Sequence, residues 1–331
     1  MQDNIDILKS LIVIPQNLNI QDKNGWTAIH HASNQAIKRN DNVLEEALQI
    51  LINAGADTNI QTNTSSSALH YAVQKNHLNV TEVLSNADAK AYLKDNNGIT
   101  PLILAVENGN YPIVEKLTKK AQNFDVKQND GWAALHFTAH SGNKINDDYT
   151  QSKIAKTILT AGANVDIQIP TGETALSIAI GNNKNLVAKT LLEANAKTDI
   201  KDNNGWTPLM LAVYLGRIDT IKDMMNHPGN IDAKNSDGMT ALHLTANRSS
   251  SGGEKIQTEI AKLLLNRGAN PNIRAIDGST TLHFAAANNR ESLVKVLLAA
   301  NASKRLKNQK GWEARDEAIK AKNVYISKLL K

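Results

Sequence analysis

Cysteine is absent from all 331 positions, which excludes disulfide scaffolds and thiolate-held metals. Aromatic residues number only 13, so a core has to be built mainly from Ala, Leu, Ile and Val. Apolar runs are a few residues long, too short to cross a bilayer, and the opening MQDNIDILKS lacks the basic start and apolar stretch of a secretory signal. No membrane span and no cleaved signal are therefore expected, and the default location is cytoplasmic. What is abundant instead is asparagine, 40 residues of it.

The chain is self-similar. The segments GWTAIHHA (25–32), SSALHYA (66–72), GITPLILA (98–105), GWAALHFTA (131–139), GETALSIA (172–179), GWTPLMLA (205–212), GMTALHLTA (238–246), GSTTLHFAA (278–286) and GWEARDEA (311–318) align. Their equivalent third positions are Thr27, Ser67, Thr100, Ala133, Thr174, Thr207, Thr240, Thr280 and Glu313, separated by 33 residues or by 40 to 41. A Thr or Ser there is a good N-cap, and Pro101 and Pro208 follow at the first helical position, where a missing N–H costs nothing. Apolar residues at helical spacing, such as Leu293, Val294, Leu297 and Leu298, then predict a second helix. One such pair cannot bury its own apolar face, so neighbours must stack and share a core.

This unit resembles the ankyrin repeat, over essentially the whole chain. The resemblance implies an all-α, right-handed ankyrin-type α-solenoid of helix-turn-helix repeats with β-hairpin finger loops. First helices would line a concave groove and second helices the convex back. The expected repeats are 22–61, 62–94, 95–127, 128–168, 169–201, 202–234, 235–274 and 275–307. They are flanked by an N-terminal half-repeat, 1–21, with Ile7, Leu8, Leu11 and Ile12 on its helix, and a polar C-terminal capping repeat, 308–331.

A longer period lies over the short one. Seven or eight extra residues recur in the first, fourth and seventh repeats, near Gln35–Glu45, Ser141–Ser152 and Ser249–Lys255, giving a three-repeat block of 106 or 107 residues. They either lengthen helices or form protruding loops, and SSSGG at 249–253 reads as flexible. Where the second helix ends, the same blocks carry Gly55, Gly162 and Gly268, then Asp88, Asn195 and Asn301, all residue types that tolerate positive φ. The third class carries Ala121 and Pro228 there, and the half-repeat Pro15. KDNNGITPLILAV (94–106) and KDNNGWTPLMLAV (201–213) agree at eleven of thirteen positions, so growth by block duplication is inferred.

Enzyme signatures are missing: there is no phosphate loop, GxGxxG, HExxH or GxSxG. No catalytic residue, cofactor or metal site is expected. His30, His70, His136, His243 and His283 share one repeat position and lie a whole repeat apart, and the resemblance implies a structural hydrogen-bonding role for them. His31, His140 and His227 have no partners at ligand spacing.

Binding is expected on the fingers and groove. Trp26, Trp132, Trp206 and Trp312 all follow the finger glycine, a place that in ankyrin-like proteins commonly touches partners; the alternative is packing on the neighbouring finger. In the sixth repeat the usually polar residues before the glycine are Tyr214 and Leu215. With Trp206 and Met239 they are expected to form an exposed apolar patch.

Residues 304–331 hold nine Lys or Arg against Glu313, Asp316 and Glu317, a net of +6, so polyanion binding is the alternative. Stacking aromatics are few, which argues against nucleic acid. The expected function is non-catalytic protein binding by a monomer. An effector acting on a host protein in the host cytosol is implied by analogy alone, and the targeting region of a larger enzyme is a further alternative.

Overall fold

The computed structural model describes residues 17–35, 41–119, 123–142, 147–227 and 229–331. The expected helix of the N-terminal half-repeat lies outside these residues, as do Pro15, Ala121 and Pro228. The chain divides into two compact units, Met1–Ile169 and Pro170–Lys331.

In the first unit the helices are α1 (Ala28–Asn34), α2 (Asp41–Asn53), α3 (Ala68–Gln74), α4 (Leu78–Asn86), α5 (Pro101–Glu107), α6 (Tyr111–Thr118), α7 (Ala134–Ala139) and α8 (Asp148–Thr160). First helices pack in series, α1 on α3, α3 on α5 and α5 on α7; second helices do the same, α2 on α4, α4 on α6 and α6 on α8. The second unit repeats this two-layer arrangement. Its first helices are α9 (Ala175–Gly181), α11 (Pro208–Tyr214), α13 (Ala241–Leu244), α15 (Thr281–Ala287) and α17 (Ala314–Lys320). Its second helices are α10 (Asn185–Glu193), α12 (Ile218–Met224), α14 (Gly253–Asn266), α16 (Glu291–Ala299) and α18 (Val324–Leu329).

The core lies between the layers and is aliphatic, as the shortage of aromatics requires. Leu69, Leu84, Ile103, Ile113, Leu176 and Ile180 are among the largest wholly buried side chains. Five residues after each cap position comes a small residue, so that helix backbones can approach: Ala72, Ala105, Ala179, Ala212, Ala285 and Ala318 are fully buried. Thr138 and Thr245 take this place in the fourth and seventh repeats, where each buried hydroxyl donates to a carbonyl of its own helix, Leu135 or Leu242, at 2.7 Å.

Among the described residues the three repeats with inserts have the longer second helices, while 36–40 and 143–146 of the first two inserts lie outside the described residues. α2, α8 and α14 run for 13, 13 and 14 residues, whereas α4, α6, α10, α12, α16 and α18 have six to nine. The expectation of flexibility at 249–253 is corrected. Ser250 is buried with its hydroxyl on the Leu244 carbonyl, Ser251 N–H donates to Tyr214 O at 2.7 Å, and the buried Gln257 amide holds the carbonyls of Val213 and Ser251. Composition suggested freedom, but the Ser250 hydroxyl, the Ser251 N–H and the Gln257 side-chain NH2 all find partners, while Gln257 Oε1 is buried without one.

The helix-end rule holds. Gly55, Gly162 and Gly268 have φ of 92°, 111° and 95°, and Asp88, Asn195 and Asn301 have 60°, 63° and 61°. The left-handed region costs an ordinary L-residue about 1–2 kcal/mol, less for asparagine and nothing for glycine. Replacing the exposed Asn195 by Ala should therefore lower stability by about 1 kcal/mol. Asn195→Gly should leave it within about 0.5 kcal/mol of the parent, and urea unfolding midpoints will separate the two.

Candidate partner-binding surface

Each finger is a tight reversal closed by backbone bonds. Asp202 N–H donates to Trp206 O and Gly205 N–H returns to Asp202 O, at 2.8 and 2.9 Å; the same pair recurs at Asp22, Asp95, Asn235 and Asn308. The side chain that begins the turn fixes the tip. Asp202 Oδ1 accepts from the N–H groups of Asn204 and Trp206 at 2.9 and 2.7 Å, and Asp22, Asp95, Asn235 and Asn308 act likewise. Antiparallel pairing among the described residues is limited to the isolated bridges Gln61–Ser67 and Lys127–Ala133.

Successive tips are tied together by asparagine, a feature that the sequence pattern did not reveal. Asn63, Asn96 and Asn129 donate their backbone N–H to Asn24, Thr64 and Asn97, and their side-chain amides to the carbonyls of Lys23, Asn63 and Asn96. In the second unit Asn203 does the same with Thr171 and Pro170. The abundance of asparagine thus has a structural use here and at the positive-φ helix ends. Its recurrence at one place in consecutive repeats was the available signal.

The five equivalent histidines cap first helices. Nδ1 of His30, His70, His136, His243 and His283 accepts the backbone N–H three residues earlier at 3.0–3.2 Å. Nε2 then carries the proton, and His70, His136 and His283 donate it to Ile99, Ile167 and Trp312 carbonyls at 3.1, 2.9 and 2.9 Å. Burial pushes His136 and His243 down to about 4, and lowers His30 and His70 in the same direction. Burial thus holds His30, His70, His136 and His243 neutral, although Nε2 of His30 and His243 is buried without a hydrogen-bond partner. Among the described residues no group of three or more His, Asp or Glu could hold a metal ion, and no helix is long and apolar enough to cross a membrane.

The seven anticipated contact residues, Trp26, Trp132, Trp206, Tyr214, Leu215, Met239 and Trp312, are all half-buried. The expectation of an exposed patch is corrected to that extent, and for Trp26, Trp132, Trp206 and Tyr214 the cause is ring packing. Trp26 lies 4.4 Å from Tyr71 of the next repeat and 5.1 Å from His31. Trp132 meets Phe137 and His140 of its own repeat at 5.3 and 5.2 Å. Trp206 and Tyr214 are brought together, edge to face at 5.5 Å. Trp312 sits under two cations, Lys310 at 5.4 Å and Lys320 at 4.9 Å. Leu215 caps the end of α11, and Met239 occupies the seventh finger, where its N–H is held by Asn235.

Larger exposures occur elsewhere. The C-terminal repeat, expected to be polar, shows Ile319, Val324 and Tyr325 at 53%, 63% and 52% exposed.

Paired helices stacked in series, joined at cross-tied fingers, define a repeat protein built for its surface. The family description "Ankyrin repeats (3 copies)" matches residues 1–95, 34–130, 87–146, 145–235, 219–308 and 252–331, which together span the sequence. The chain belongs to the ankyrin-repeat family. It is similar to a protein named as an ankyrin repeat protein from Acanthamoeba polyphaga mimivirus, 43% identical over 54 residues, 16% of this chain and 13% of that protein. The similarity thus spans about an eighth of that relative's length. Among solved structures, the ankyrin repeat domain of Bcl-3, described as a unique member of the IkappaB protein family, aligns with a TM-score of 0.57. Identity is 24%, covering 69% of this chain and 100% of that one, a likeness of fold.

Proposed function

We propose that the chain is a non-catalytic protein-binding module that presents its first-helix face and finger tips to a protein partner. Ankyrin repeats are generally protein–protein interaction modules. The observation that carries the assignment to a place is the Trp206–Tyr214 pair beside Leu215, an aromatic and aliphatic group left half open on a first-helix layer. Half-exposed rigid rings lose little entropy on binding and commonly dominate interface energies. Cross-tied fingers favour the same reading, because a surface held in shape before association spends less on ordering.

The partner captured by the chain, identified by mass spectrometry and then purified, is expected to bind Tyr214→Ala/Leu215→Glu at least tenfold more weakly. Trp26→Ala, in the other unit, serves as the comparison. Unchanged affinity in the double variant, with any loss confined to its melting temperature, would remove the assignment. Action as an effector on a host protein is the narrower form of this proposal, and it requires the captured partner to come from a host cell.

A further inference from the structure

Charge is divided unequally between the units. Residues 170–331 hold 23 Lys or Arg against 15 Asp or Glu, a net of +8, and residues 1–169 hold 14 against 17, a net of −3. Within the second unit this excess reaches the first-helix layer. The seventh and eighth residues after the cap position are Gly181 and Asn182, Tyr214 and Leu215, Asn247 and Arg248, Ala287 and Asn288, and Lys320 and Ala321. The row is apolar at one place, cationic at two, and without a carboxylate.

The cations are placed as well as counted. Arg248 is exposed, and the loop that follows it is tied to the end of α11 by Ser251 N–H on Tyr214 O at 2.7 Å, so its segment adjoins the apolar pair. Lys320 and Lys310 lie over the indole of Trp312, which holds two positive charges at the last finger. The described ion pairs of this unit use Lys222, Lys295 and Arg305, none of these three. Carboxylates on the finger side are engaged internally: Glu173 by the Thr171 hydroxyl, Asp202 by the Asn204 and Trp206 N–H groups, Asp277 by Ser279, Glu313 by Arg305, the exposed Asp316 by the Glu313 N–H and Glu317 by the Asn308 amide. Asp237 stands on the seventh tip.

We infer that the first-helix face of Pro170–Lys331 receives an extended acidic segment with one bulky apolar side chain, which seats on Tyr214, Leu215 and Trp206. The inference rests on the proposed function and names the chemistry of the partner. Neighbouring packed helices stand about 8–10 Å apart, and an extended peptide advances about 3.3 Å per residue. Each repeat therefore corresponds to about three peptide residues. An acid about three residues beyond the apolar anchor reaches Arg248, and another about nine residues beyond it reaches Lys320 and Lys310.

The test uses the full chain and fluorescein-labelled synthetic peptides with Trp as anchor and Glu three and nine residues further on, in a Gly/Ser/Ala background. Matched peptides carry Lys in place of Glu. Fluorescence anisotropy should show the acidic peptide binding at least tenfold more tightly than the lysine version, with affinity falling as salt rises. Arg248→Glu should weaken it at least tenfold at an unchanged melting temperature. Equal binding of both peptides that is lost in Tyr214→Ala/Leu215→Glu overturns the acidic inference and leaves the docking face intact. Binding lost in Arg248→Glu but kept in Tyr214→Ala/Leu215→Glu overturns both, since attraction would then be diffuse. An oligothymidylate of equal charge binding as tightly, or no peptide binding at all, also overturns it.

Discussion

Acidification from pH 6.5 to 4 should destabilise this protein steeply, before most carboxylates have taken up protons. The histidine caps dictate the sign. His136 and His243 are held neutral with values pushed to about 4, while an unfolded chain protonates them near the ordinary 6.5. Above pH 6.5 both states carry the same proton count and the rings contribute no pH dependence. Between 6.5 and 4 the unfolded state binds more protons, so unfolding free energy falls as pH falls, and the loss is complete below about 4. A shift of that size corresponds to roughly 3 kcal/mol per ring. His30 and His70 are shifted in the same direction by burial and add to the loss. Protonating Nδ1 would also aim an N–H at the backbone N–H that it now accepts. Urea midpoints measured at half-unit steps will check this. His136→Gln/His243→Gln keeps an acceptor at both caps and should show a flatter profile in the same window, even where it is less stable at pH 7. An equally steep profile in that variant would locate the acid response elsewhere.

The second large effect is expected at a finger. Gly98 has φ of 77°, and a Cβ added there would stand 2.6 Å from the backbone nitrogen of Asn129 and 2.5 Å from its side-chain oxygen. Gly98→Ala must therefore take on left-handed strain and also push away the N–H that joins this finger to the next through Asn97 O. Gly55, with φ of 92°, has nothing within 4 Å of the same added atom. Gly55→Ala isolates the conformational cost of about 1–2 kcal/mol, and Gly98→Ala should exceed it by about 1–2 kcal/mol more. Paired thermal and urea unfolding will measure the difference. Equal losses would mean that the inter-finger bond contributes nothing.

The repeat spacing made most of the fold legible. Cap residues such as Thr100 and Thr207 mark where α5 and α11 begin, and the alternation of Gly55 with Asp88 or Asn195 marks the positive φ at the helix ends. Less could be read where one composition allows two outcomes. The insert of the seventh repeat is ordered because Gln257, thirteen residues into the repeat's return path from Leu244, reaches back to Val213, a pairing of residues 44 apart. For the Trp rings, position was legible but company was not: equivalent indoles meet Tyr71 of the next repeat, Phe137 of their own, or Tyr214. Which neighbour is aromatic varies beneath a constant spacing, and Trp312 has lysines in that place.

The two KDNNG fingers have matching internal bonds, Asp95 holding Asn97 and Ile99 as Asp202 holds Asn204 and Trp206. A crossover between them would excise residues 95–201 and join Lys94 to Asp202 within an unaltered pentapeptide. The seam would be chemically invisible, so a lineage carrying this gene can change the reach of its product in whole blocks without ever passing through a misfolded join.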